Sequence, residues 1–179
     1  MAIKPEKAIR MLVEVVSKNG VMLLSAGPMP DGTIPTEQVE ALHGIGAWLK
    51  KYGEAVYGTR PFVSFGEGPT RLTVDTSDEW NEYGAVKKGL DLLNFKDIRY
   101  TQKGRVIYCT QLGWNDQVTS ILLTTFGDKA KKFKVQKVSM LGSSEKITWT
   151  RQADGLKINL PKKKPELGEM ATVFKIEVE

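Results

Sequence analysis

Between residues 97 and 178 the chain breaks into seven short runs in which polar and apolar residues alternate: DIRYTQ (97–102), RVIYCTQL (105–112), VTSILLT (118–124), KVQKVSML (134–141), KITWTR (146–151), LKINL (156–160) and TVFKIEV (172–178). Lys-Gly, Trp-Asn-Asp, Gly-Asp, Gly-Ser-Ser and Asp-Gly turns separate them. Alternation with period two gives each run one apolar and one wet face, as in a half-buried strand. Strands at this spacing, with no helix between them, predict an antiparallel β-sandwich over 95–179.

The first part of the chain has a different texture. Residues 4–18 (KPEKAIRMLVEVVSK) place Ile9, Leu12, Val13 and Val16 on one helical face, with Pro5 in the first turn and Asn19-Gly20 as the stop. Val21 to Ser25 follow as a short run, VMLLS, apolar enough on both faces to predict a parallel strand covered on both sides. After a Gly-Pro and a Pro-Asp-Gly turn, a second helix is expected over 36–51, with Val39, Leu42, Ile45 and Leu49 as its buried stripe and Gly53 at its end. Helix, buried strand, loop and helix make one and a half repeats of a β/α architecture. A closed β/α barrel needs about 250 residues, so these elements form only a piece of one. The expected organisation is therefore 1–58 as a barrel segment, 59–94 as a connection, and 95–179 as the sandwich. Within the connection, 66–94 shows no clear period, and a connection of that length has a task or is mobile.

Composition limits the chemistry. The chain has 179 residues, 41% hydrophobic and 26% charged, with a formal net charge of +5. No apolar run reaches 18 residues, so no membrane-spanning helix is expected, and Met1 to Arg10 are amphipathic and lack the apolar core of a signal peptide. The Lys-rich stretches KAKKFKVQK (129–137) and PKKKP (161–165) lack a nucleic-acid reading motif and are read as solvated faces, so no nucleic-acid partner is expected. A single cysteine, Cys109, excludes an internal disulfide and a Cys-based zinc site, and its place in a strand points to the core. No metal and no cofactor is expected. His43, the only histidine, lies beside the apolar stripe of the second helix with no nucleophile motif near it, and is read as a surface or satisfied residue. Asp78 and Glu79 are sequence neighbours in a loop, which is not how a catalytic carboxylate pair converges. The glycines of FGEGPT (65–70) lack the strand–helix setting of a phosphate loop and read as a turn. Trp114, at a loop tip in LGWND, is the one candidate substrate-binding residue: its ring can stack on a sugar or pack onto a neighbouring layer.

Several of these stretches together resemble a known family. Val16-Ser17-Lys18-Asn19-Gly20, Gly27-Pro28, Pro30-Asp31-Gly32, Gly53-Glu54-Ala55 and Tyr57 to Pro61 are similar to the end of the catalytic barrel in the retaining α-L-fucosidases, glycoside hydrolase family 29. DIRYTQKG (97–104), LGW (112–114), LGSSEKITWT (141–150) and VFKIEV (173–178) resemble the C-terminal β-sandwich of that family. The chain departs from the family pattern at Val21 and Ser25, where Asn is usual.

The resemblance implies a mainly β chain: a C-terminal antiparallel β-sandwich preceded by a helix–strand–helix piece of a (β/α)8 barrel, with 21–25 as the last barrel strand. It implies a parent enzyme that removes terminal α-L-fucose from glycoconjugates with retention, so its partner is a fucosylated glycan, and the parent's compartment is exported or lysosomal. The family's two catalytic carboxylates come from earlier barrel segments, and no position here matches either, so no catalytic residue is assigned and the chain alone is expected to be inactive. The alternative is a non-catalytic sandwich that binds carbohydrate or protein. With its strand neighbours missing from this chain, the run Val21, Met22, Leu23 and Leu24 is expected to pair with a second copy of itself.

Overall fold

A computed structural model describes residues 3–74, 87–127, 130 and 132–179. The seven expected strands are all present, as β4 (Ile98–Lys103), β5 (Val106–Gln111), β6 (Ser120–Leu123), β7 (Val135–Met140), β8 (Trp149–Gln152), β9 (Gly155–Asn159) and β10 (Thr172–Val178). Three more precede them: β1 (Arg60–Glu67), and the short pair β2 (Thr73–Val74) and β3 (Lys87–Lys88). β1 occupies the first part of the segment expected to connect the two regions.

Apart from the β2-β3 pair, the strands build two sheets with antiparallel ladders throughout. One has the order β1-β4-β5-β10-β7 and the other β6-β9-β8. The inward faces meet in one core, where Tyr100, Ile107, Cys109, Phe174 and Ile176 of the larger sheet face Leu123, Leu156 and Ile158 of the smaller. Each group alternates along its strand, which is why the period-two runs located them. Phe62, Phe126 and Tyr100 close one end of this core with ring centroids 5.9 to 6.2 Å apart. β1 reaches that end through a bulge. Its register on β4 shifts between Pro61 and Gly66, and a Cβ at Gly66 would lie 2.3 Å from the Ile98 carbonyl oxygen, so only glycine lets the two backbones approach.

The outer face of the larger sheet is buried as well. Helix α1 (Pro5–Ser17) and helix α2 (Thr36–Tyr52) cover it, and Ile9, Val13, Trp48 and Tyr52 pack there on Tyr108, Leu112 and Val173. The molecule therefore has three layers: helices, a five-stranded sheet and a three-stranded sheet.

Two details of the barrel-like segment differ from expectation. On α2 the buried residues are Ala41, Ile45, Trp48 and Tyr52, while Leu42 is exposed. The face turned to the sheet is the one carrying the aromatic rings, because they bury the larger apolar area. The expected strand at 21–25 forms no ladder: residues 20–29 run without strand structure between the two helices. A strand exists only where a neighbour accepts and donates its backbone hydrogen bonds, and among the described residues none lies beside this one.

Candidate functional site

Both ends of this unladdered ribbon are tightly specified. At its start Asn19 adopts φ 65°, and the N–H of Gly20 donates to the Val15 carbonyl at 2.9 Å, ending α1. A Cβ at Gly20 would meet the Val15 side chain at 2.8 Å, which accounts for the Asn-Gly pair. At its far end the Asp31 carboxylate accepts from the N–H and hydroxyl of Thr33, at 3.0 and 2.7 Å, and these bonds hold the Asp31 pKa below its usual range. The Met29 N–H donates to the Thr33 carbonyl at 2.7 Å, closing the Pro-Asp-Gly turn.

Between these ends the ribbon is open. Val21 and Leu23 are 93% and 92% exposed, whereas Met22 tucks against the helical layer. The side-chain amide of Gln38 accepts from the Gly27 N–H at 2.9 Å and donates to the Gly27 carbonyl at 3.3 Å, so α2 grips both backbone polar groups of one residue as a neighbouring strand would. Leu24, Ala26, Gly27, Leu42 and Ile45 line a groove of about 340 Å³ beside it. This is an exposed apolar surface on a defined scaffold, which is characteristic of an interaction site.

The blocks after α2 form a joint, not a reactive centre. Glu54 Oε1 accepts from the Tyr108 hydroxyl at 2.8 Å and from Lys175 Nζ at 2.5 Å. The Lys175 bond first, then that of Tyr108, lowers the Glu54 pKa. Burial and the neighbouring Glu54 push the Tyr108 hydroxyl well up. The Ala55 carbonyl accepts from Thr101 Oγ1 at 2.7 Å, and Thr59 Oγ1 donates to the Val56 carbonyl at 2.9 Å. The Glu54-Ala55 to Thr59 stretch thus fastens the end of α2 to β4, β5 and β10.

A larger cleft of about 670 Å³ opens between the end of α1, β1 and β4, and Glu14, Lys18, Phe65, Glu67, Arg71 and Arg99 contribute to its walls. Its carboxylates are committed. Buried Glu14 is paired with buried Arg99 and with Lys18. Glu67 accepts from the N–H and hydroxyl groups of Thr124 and Thr125 at 2.8 to 3.0 Å. Lys18 stands 4.5 Å from the centre of the Phe65 ring. Such an arrangement locks the helix end to the sandwich and leaves neither acid free for proton transfer.

The residues singled out from sequence do not converge. Trp114 sits half-buried on the β5–β6 loop, donates through its indole N–H to Asp116 at 2.8 Å, and lies outside the cleft and groove described above. His43 is on the exposed side of α2. Cys109 is buried in the sandwich, and burial raises its thiol pKa well above the usual value. Asp78 and Glu79 lie outside the described residues. Among the described residues no group of three or more His, Cys, Asp or Glu side chains is placed to hold a metal. Sequence reasoning missed Gln38, Arg99 and Arg10. Arg10 sends its guanidinium to the carbonyls of Leu93, Glu169 and Met170 at 2.9 to 3.3 Å, and only its place between Ile9 and Met11 at the edge of an apolar helix face hinted at it.

Comparison with known proteins accounts for this division into two parts. The family model described as α-L-fucosidase matches residues 2–54, and that described as α-L-fucosidase C-terminal domain matches 93–177. Tissue α-L-fucosidase of Mus musculus is 28% identical over 90% of this chain and 29% of its own length; plasma α-L-fucosidase of Rattus norvegicus is 30% identical over 88% and 28%. The chain thus spans under a third of the length of these relatives. Among solved structures, the Thermotoga maritima α-L-fucosynthase in complex with α-L-Fuc-(1-2)-β-L-Fuc-N3 superposes with a TM-score of 0.70 at 28% identity, over 97% of this chain and 33% of its own. Matched in both its parts and in chain order, the protein belongs to the α-L-fucosidase family, to the C-terminal portion of its members.

Proposed function

We propose that this chain is the C-terminal region of a retaining α-L-fucosidase and works there by completing and bracing the catalytic barrel. Residues 1–58 supply the end of the barrel, 95–179 the sandwich, and 59–94 a join that also adds β1 to the edge of the larger sheet. The observation that carries the reading is the ordered match of both parts, with its shared blocks falling at joints of the fold: the α1 stop, the Pro-Asp-Gly turn and the Glu54 contact. In the parent enzyme the substrate is a terminal α-L-fucose of a glycoconjugate, cleaved through a covalent glycosyl-enzyme by a pair of carboxylates.

The isolated chain contributes neither carboxylate. No position matches the family's nucleophile or acid/base, and Glu14 and Glu67, which line its large cleft, are held by cations and hydroxyls. The expected result with an aryl α-L-fucoside is no turnover above background. Turnover that is lost on substituting one of the chain's own carboxylates overturns the proposal. Its barrel assignment has a separate test in the coding sequence upstream of Met1: an open frame running on into barrel sequence supports it, and an in-frame stop just before Met1 counts against it. In isolation the chain's partner is a second copy of itself, through Val21, Met22, Leu23 and Leu24.

A further inference from the structure

We infer that the sandwich binds a sugar ring bearing an acidic group, a carboxylate or a sulfate ester, in a groove between its edge strands β7 and β8. The inference does not rest on the fucosidase reading. β7 is the last strand of the larger sheet and β8 the last of the smaller. A groove of about 560 Å³ opens between them, within the range of small-ligand pockets. Val135 of β7 and Trp149, Arg151 and Gln152 of β8 line it, with Phe133 and Lys134 from the approach to β7. All of its lining comes from residues 127–153, and none from α1, α2 or the ribbon between them.

The guanidinium of Arg151 is the first observation. It is half-buried, yet among the described residues no carboxylate lies within ion-pair distance of it. Its Nη1 donates to the Phe133 carbonyl at 3.3 Å, and its Cζ stands 5.8 Å from the centre of the Phe126 ring. Most of its N–H fork is thus left for a ligand. Other arginines that reach into the fold are matched: Arg10 by three carbonyls and Arg99 by Glu14. A positive charge withdrawn from water without a counter-ion is costly, and a planar fork suits the oxygens of a carboxylate or sulfate.

The second observation is the aromatic ring beside that charge. Trp149 and Arg151 are two apart on one strand, so they share a face and stand about 7 Å from each other. Trp149 packs partly on the sandwich core and still lines the groove. Its flat ring takes the C–H face of a sugar while the acidic substituent reaches Arg151, and the exposed Gln152 amide can bond a hydroxyl. The charges agree with this ligand: the lining contains Arg151 and Lys134 and no acid, and Lys134 spends its charge on an exposed pair with Glu179 at 3.2 Å. An acidic peptide offers the anion but no rigid C–H face for the ring.

The test is titration of the ¹⁵N-labelled chain, followed by amide shifts, with 3′-sialyllactose, lactose 3′-sulfate and plain lactose. At least one charged sugar is expected to bind with a dissociation constant on the order of 1 mM, and lactose at least about tenfold more weakly. The tighter of the two charged sugars identifies the acidic group. The moving amides are expected at 133–135 and 149–153. Arg151→Gln, with its fold checked by circular dichroism, is expected to bring the charged sugar down to the affinity of lactose, and Arg151→Lys to restore part of the difference. Shift mapping on the unmodified chain stands even if a variant does not fold. Lactose binding as tightly as both charged sugars overturns the inference. So do shifts confined to other parts of the chain, the absence of any shift at about 10 mM sugar, and tighter binding of a Glu-Glu dipeptide.

Discussion

The Tyr52 hydroxyl donates to the Glu166 carbonyl at 2.5 Å, at the buried end of α2. Burial first, then the charges of Glu166 and Glu169, pushes its pKa from 10.0 up to about 12. A folded-state pKa above the unfolded one favours the neutral phenol in the folded protein. Its contribution to stability is therefore complete below pH 10 and is lost as pH rises through about 12. Tyr52→Phe is expected to cost about 1 kcal/mol at neutral pH for the lost hydrogen bond, and to flatten the alkaline fall in stability. Urea denaturation midpoints at stepped pH check both; an unchanged alkaline slope counts against the assignment. Glu54 has the opposite sign, since its pKa is depressed by Lys175 and Tyr108 and its contribution fades as pH falls through that lowered value. Such roles were poorly legible in the sequence. Tyr52 was not distinguishable there from any aromatic residue near a helix end, and Glu54 was visible only as part of a shared block.

Among the elements, those with a strict period were legible and those defined by what lies beside them were not. All seven sandwich strands stand within a few residues of where alternation put them, because a half-buried strand carries its environment in its own sequence. The ribbon at 21–25 has an apolar composition written for neighbours, and without a ladder it is not a strand. The α2 stripe was misplaced for a related reason: Leu42 and Ala41 both fit a helical period, and only the packed sheet distinguishes them. Hydrogen exchange should reproduce this contrast. Amides of β5 and β10, central in the larger sheet and covered on both faces, are expected to exchange last, and those of 21–26 within the first time points. Slow exchange at 21–26 would show a cover that these contacts lack.

As a whole, the molecule is stitched across its layers by side chains that reach from helix to sheet. Arg10 grips three carbonyls, Trp48 donates to the Ala171 carbonyl at 3.0 Å, and Glu14 pairs with Arg99 on β4. Helices tied in this way melt together with the sandwich, not ahead of it. Arg10→Met keeps the length of the side chain and removes its donors. It is expected to lower stability by about 2 kcal/mol, with far-ultraviolet dichroism and tryptophan fluorescence still tracing coincident transitions. Separate transitions in the unmodified chain count against a single cooperative unit.

The burial of Cys109 has a kinetic consequence. As the only thiol in the chain, at 0% exposure and with Tyr100 and Phe174 as its ladder partners, it is reached by a reagent only when the two sheets part. Alkylation of the unmodified protein is therefore a stopwatch for opening of the sandwich. With excess reagent, its rate levels off at the frequency with which the core itself comes apart.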